Sequence, residues 1–233
     1  MLDLRGRTVF ERLVARLKRA SRPEFLLLCT TTDAEDDELA DVAQRLGVDV
    51  YRGDRDDILA RWLGAADAND VDFIAACDGD DLFCDPVHVD RVIECHEQTG
   101  ADYIVCVGLP FGTAPTGISR TGLRRVCDRK TETDTAGQGR FFADERIVQR
   151  AEVVAPAAVR HDEARLTLDY PEDMAFFEAL VDELDKQGSD DSLERIVQLL
   201  RDRPDLVGIN REVQDRYWRR FNELYPPVEL ASE

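Results

Sequence analysis

Between residues 77 and 86 the chain reads CDGDDLFCDP, which places Asp78, Asp80, Asp81 and Asp85 within one short stretch. Carboxylates that dense repel one another unless a cation lies between them, and Mg2+ or Mn2+, with hard oxygen ligands, is the natural one. An acidic turn in an Asp-rich chain is the plainer reading of the same residues. A second acid, Asp169, ends the apolar run RLTLD (Arg165–Asp169), just ahead of Pro171. Its bland role is to cap the helix that Pro171 opens. Its chemical role is to join Asp80 in clamping one magnesium with a triphosphate, which stabilises a leaving pyrophosphate. Cys84, His88, Cys95 and His96 fit no zinc ribbon or finger spacing. None of the six cysteines forms a C-x-x-C pair, so buried free thiols are expected.

These acids need a scaffold that brings the ends of two strands together. Helical periodicity is present over Thr8–Ala20, Asp36–Leu46 and Asp56–Asp67, and apolar strand-like runs lie at Glu24–Thr30, Val71–Cys77 and Ala101–Val107. VDVYRG reads as a further strand, and Pro86 opens a helix between two of the others. Strands alternating with helices of this length mean a helix-covered, parallel α/β sheet, whose ligands sit beyond the carboxyl ends of the strands. From Arg129 to Asp162 the pattern weakens, and TETDTAGQGR reads as a mobile loop. Helices follow at Pro171–Leu184, Ser192–Leu200 and Arg211–Leu224; the last carries Tyr217, Trp218 and Phe221 as an aromatic stripe suited to the core or a dimer seam. The division expected is an α/β domain over 1–187 and a helical extension over 188–233.

Composition bounds the partners. The 233 residues carry 49 acids against 30 bases, a net charge of −19. That excess argues against sequence-independent binding to nucleic acid or to anionic lipid. No apolar run is long enough to span a membrane, and MLDLRGRTVF lacks a signal-peptide core, so a soluble, cytoplasmic protein is expected. Lys18, Lys130 and Lys186 are the only lysines, and Asp outnumbers Glu. A GC-rich genome and an adaptation to high salt both account for that bias.

The region TTTDAEDDELADVAQRLGVDVYRGDRDDILARWLGAA resembles cytidylyltransferases of the spore-coat polysaccharide type, relatives of the CMP-sugar-acid synthetases such as the acylneuraminate and Kdo cytidylyltransferases. DGDDLFCDP stands where that family has T-G-D-C-P-L-I-D-P, and RLTLDYPEDMAFFEAL matches its R-L-T-x-D-x-P-E-D-L stretch. The carboxyl-terminal SLERIVQLLRDRPDLVGIN is also similar. The resemblance implies a Rossmann-like, glycosyltransferase-type nucleotide-diphospho-sugar transferase fold with a mostly parallel sheet. It implies CMP transfer from CTP to a sugar or sugar acid, with Mg2+ (or Mn2+) held by Asp80 and Asp169 and pyrophosphate released. It places Arg52, Gly53 and Arg61 at the nucleotide, and family habit adds a homodimer.

Three departures accompany the likeness. The family opens with a strand and a basic, glycine-rich loop, whereas this sequence begins just after them. That would leave two strand edges unpaired within the sheet, so a start upstream of Met1 is expected, with a shortened inactive relative as the second possibility. The family's Arg before T-G-D is Ala76, and Thr116 replaces the usual acid of the sugar site. A metal-dependent glycosyltransferase and a non-catalytic binding or scaffold subunit are the competing functions.

Overall fold

The computed structural model describes residues 1–188 and 190–231; of the expected helical extension, residues 189, 232 and 233 lie outside the described residues. A hairpin of β1 (Asp3–Leu4) and β2 (Arg7–Thr8) leads into α1 (Val9–Leu17). Thr8 accepts the Glu11 amide proton while the Glu11 carboxylate accepts that of Thr8, a reciprocal box that sets where the helix starts. Then come β3 (Leu27–Thr31), α2 (Asp37–Arg45), β4 (Asp49–Gly53), α3 (Ile58–Ala68), β5 (Phe73–Ala76), α4 (Pro86–Thr99) and β6 (Tyr103–Val107). These are the alternating elements expected from the apolar periods, trimmed at their ends. Asp85 caps α4, Pro86 occupies its first turn, and Gly100 ends it in the left-handed region at φ 68°.

Beyond β6 the structure corrects the sequence expectation. A short strand, β7 (Thr116–Ser119), runs antiparallel between β5 and β6; α5 (Arg120–Arg129) and β8 (Arg150–Val154) follow. The resulting sheet has the order β5-β7-β6-β8, with β8 parallel to β6. β7 fits because Gly117 lets Phe73 approach; a Cβ there would lie 2.6 Å from the Phe73 ring. RLTLD is no strand either. It is an extended segment joined to the fold by one bridge, between Phe111 and Arg165, where the Leu166 N–H donates to the Phe111 carbonyl at 2.7 Å. The chain closes with α6 (Pro171–Lys186), α7 (Leu193–Asp202), α8 (Pro204–Val207) and α9 (Arg211–Leu224).

β3 pairs with β4 in a separate parallel ribbon. Helices on two faces hold ribbon and sheet side by side. Phe10 and Val14 of α1 join the cluster of Leu28 and Val50, while Val9 and Leu13 join the one that includes Ala75 and Cys77. On the other face α3 contacts β3 and β4 with one part of its surface and packs Leu59, Trp62 and Leu63 with Ile74 and Ala76. Among the described residues, no strand pairs with the second edge of β3 or of β5, as the sequence led one to expect. Both strands are accordingly half-buried, although their composition suits the centre of a sheet.

The largest core joins α1, α4, α6, α7 and α8 around Phe83, Phe176, Phe177, Leu180, Ile196 and Leu200. The segment 131–137, expected to be mobile, is instead pinned. Thr135 is fully buried, its hydroxyl accepts the Leu59 amide proton at 3.0 Å, and it lies 3.2 Å from an Asp57 carboxylate oxygen.

Candidate functional site

β5 delivers the chain to Cys77, after which Asp78, Gly79, Asp80 and Asp81 form a tight turn. The Asp81 amide donates to the Asp78 carbonyl at 3.1 Å, and that of Cys84 to the Asp81 carbonyl at 2.8 Å. The turn thus crowds carboxyls above the end of β5, where an α/β sheet keeps its ligands. Burial first, then the charges of Asp78 and Asp169, push Asp80 up from 3.8 to about 6. Asp81 is raised well above the ordinary range by burial and by Asp80 and Asp78, against a hydrogen bond to Thr167 that lowers it. Asp78 lies at the rim, where partial burial and then the charge of Asp169 raise its carboxyl, opposed by Gln138 Nε2 3.5 Å away. The Asp169 charge therefore reaches Asp80, although no strand carries Asp169 there.

What places Asp169 is a buried arginine. Arg165, 1% exposed, donates from Nη2 to Asp169 Oδ2 at 2.5 Å and from Nε to Asp173 Oδ1 at 2.9 Å. Asp173, itself fully buried, accepts the backbone N–H of Asp169 and of Tyr170, each at 3.0 Å. Tyr217 of α9 lies over the guanidinium, with its ring centroid 4.8 Å from Cζ. Burial and the charges of Asp169 and Asp80 raise the Tyr217 phenol, which keeps it a proton donor beside the acids. Neither a lone arginine nor an aromatic stripe signals a site in sequence, and only the R-L-T context hinted at Arg165 and Thr167. The stripe expected as core or dimer seam is largely used within the chain: Phe111 packs on Tyr217 and Trp218 at 5.2 Å each, and Tyr225 on Phe221 at 5.0 Å.

The remaining expected site residues lie apart from this cluster or at its margin. Arg52 donates to the Thr31 and Asp33 carbonyls at 2.7 Å each and to Asp37 at 2.6 Å, which ties the end of β3 to the start of α2. Arg61 Nη1 donates to the Asp54 and Arg55 carbonyls, and Gly53 lets the Arg61 stem pass close by. None of these contacts reaches the acids. Thr116 does lie at the margin, directly opposite Ala76 in the β5–β7 ladder. The two positions that depart from the family pattern are thus cross-strand partners on one face of the sheet.

His88 lies 2.5 Å from Asp85 through Nδ1 and is buried, so it serves the α4 cap and no zinc site. All six cysteines are free, though only Cys84 is fully buried. Among the described residues no three His, Cys, Asp or Glu side chains converge to hold a metal unaided. Two carboxylates supplemented by phosphate oxygens and water suit Mg2+, which dehydrates reluctantly. Asp80, whose ionised form is penalised by its acidic neighbours, is a donor that a divalent cation would relieve, so the residues present fit the ion.

No protein-family profile matches the chain. An uncharacterised protein of Methanocaldococcus jannaschii is 22% identical over 225 residues, which span 96% of this chain and 92% of that one. The spore coat polysaccharide biosynthesis protein SpsF of Bacillus subtilis is 26% identical over 187 residues, 77% of this chain and 76% of its own. Among solved structures, a cytidylyltransferase from Leptospira borgpetersenii superposes with a TM-score of 0.77 at 19% identity, covering 88% of each chain. Among the described residues no helix is long and apolar enough to cross a membrane. The chain is thus similar in sequence to a spore coat polysaccharide biosynthesis protein and shares the fold of a solved cytidylyltransferase, as its motifs led one to expect.

Proposed function

We propose that this protein transfers CMP from CTP to a sugar or sugar acid for the synthesis of a surface polysaccharide or glycan. What supports the reading is that Asp80, just beyond the carboxyl end of β5, is raised by the charge of Asp169 from a separate motif, on a fold shared with a cytidylyltransferase. Mg2+ bound by these two carboxylates would neutralise triphosphate charge. Thr116 would line the acceptor side, and Arg52, Gly53 and Arg61 the nucleotide side. The acceptor hydroxyl oxygen bonds to the α-phosphorus in line as the bond to the β-phosphate oxygen breaks. Pyrophosphate leaves with that electron pair, and the hydroxyl proton passes to solvent. Positioning and charge neutralisation supply most of the acceleration.

One observation favours a second reading. The Arg52 guanidinium is already engaged by protein acceptors on three sides, which suits a binding or scaffold subunit that keeps the fold without gripping phosphate. One assay separates the two: pyrophosphate release with Mg2+, CTP and a panel of sugars and sugar acids. Release that depends on one acceptor is the expected result. Its absence with every acceptor, while CTP fails to bind in a direct titration, overturns the enzyme reading.

A further inference from the structure

We propose that Arg165 is a positioning residue: it holds Asp169 by one carboxylate oxygen and so offers the other to the cation, while α9 in turn holds Arg165. The inference rests on the reading of Asp80 and Asp169 as a metal pair.

Every face of the Arg165 guanidinium is occupied. Nη2 reaches Asp169 Oδ2 at 2.5 Å and Asp173 Oδ2 at 3.2 Å, Nε reaches Asp173 Oδ1 at 2.9 Å, and Nη1 reaches Gln214 Oε1 of α9 at 3.1 Å. Asn210, immediately before α9, donates through Nδ2 to the Arg165 carbonyl at 3.1 Å and to Asp173 Oδ1 at 2.9 Å. The planar fork fixes direction as well as distance, and a lysine would hold one acid at a time. Charge does not explain the arrangement. The Arg165–Asp173 pair is buried and neutral as a whole, so what Asp169 receives from it is orientation. A free arginine cation beside the acids would repel a metal ion; one balanced by Asp173 can orient a ligand without that penalty. The carboxyl-terminal helix thereby becomes part of the site, through Gln214 and the Tyr217 ring stacked on the same guanidinium.

A purely structural role for Arg165 would give similar contacts, so the test turns on Gln214, which is half-buried and reaches Arg165 from the solvent side. Mn2+ binding to the whole protein is measured by electron paramagnetic resonance for wild type, Arg165→Lys, Gln214→Leu, Gln214→Glu and Asp80→Asn, with thermal melting of each. Arg165→Lys should weaken Mn2+ binding about 10-fold or more, as loss of a ligand-orienting partner does. Gln214→Leu should weaken it in the same direction with its melting temperature unchanged, and Gln214→Glu should restore it. If Arg165→Lys fails to fold, the two Gln214 variants decide the matter alone. Wild-type affinity in Gln214→Leu, or tighter binding in a folded Arg165→Lys, overturns the proposal while leaving the metal pair intact. Wild type that binds no Mn2+, or binding that survives Asp80→Asn, overturns the metal pair itself and the proposal with it.

Discussion

Replacing Asp80 by Asn should stabilise the protein in the absence of divalent metal. The Asp80 carboxyl rises from 3.8 to about 6 on folding, because burial and its neighbours Asp78 and Asp169 disfavour the charged form. A raised folded-state value means that Asp80 costs nothing below its unfolded value, and that the cost grows through the interval up to about pH 6, above which it is complete. At about 1.36 kcal/mol per unit the full cost is about 3 kcal/mol, reduced to about 2 kcal/mol by solvent screening of the partly accessible side chain. Asn keeps the shape without the charge, so urea unfolding in EDTA at pH 8 should show the variant more stable by that amount. At pH 5, where the folded carboxyl is mostly protonated, the gain should shrink to about half. Mg2+ should then stabilise wild type and leave Asp80→Asn unchanged, since a ligand stabilises only the state that binds it. A variant less stable than wild type at pH 8, or an equal gain at both pH values, refutes the reasoning.

Other outcomes follow from the same geometry. Asp169→Asn should lower pyrophosphate release at least about 100-fold with its far-ultraviolet circular dichroism unchanged, the scale expected for loss of one preorganised electrostatic group. Thr135→Ala should cost about 1–3 kcal/mol, because the Leu59 amide and the Asp57 carboxylate both lose a buried partner; limited proteolysis should then cut within 131–137. Gly112→Ala should cost at least about 2 kcal/mol in urea unfolding: its φ is 85°, and a Cβ would lie 2.5 Å from the Leu166 backbone. The same substitution should weaken Mn2+ binding, since Leu166 and Thr167 carry the segment that places Asp169.

The elements read correctly from sequence are those whose signal is local. From α1 to β6, apolar period, caps and proline positions all point to one answer, and the structure moves only their ends. β7 escaped that reading because four residues with Gly117 among them carry no period, and their burial comes entirely from β5 and β6. The segment RLTLD misled in the opposite sense. Its alternation is strand-like, yet only Phe111 pairs with it, and its buried residues face α6 and α9. Asp80 and Asp169 could be singled out because both stand in acidic, proline-marked motifs. Arg165 was not, since a buried arginine makes sense only when Asp173, Asn210 and Gln214 are known to surround it, and they lie up to 49 residues away. Thr135 is the same case, a polar residue in a polar run whose role depends on a helix cap far along the chain.

The pairing of Ala76 with Thr116 bears on whether the chain is an eroded enzyme or one with a different acceptor. Taken singly, a lost arginine and a lost acid look like two separate failures of function. Opposite one another on a single face of an antiparallel ladder, they amount to one change, the removal of a cross-strand charge pair with no net charge left over. Were the arginine lost alone, an acid left at position 116 would join the carboxylates without a counter-charge, so loss of the first favours loss of the second. The acids themselves point the same way. The carboxyls of Asp78, Asp80 and Asp81 are raised first by burial and then by their acidic neighbours, and a scaffold subunit would gain stability by losing them. Asp80 and Asp169 are the two acids that the family resemblance also carries, and Arg165 holds Asp169 by one carboxylate oxygen. A carboxyl kept at a cost and an acid held by a buried arginine are what the proposed metal pair needs, and on that reading the neutral Ala76–Thr116 margin is where the acceptor site would differ.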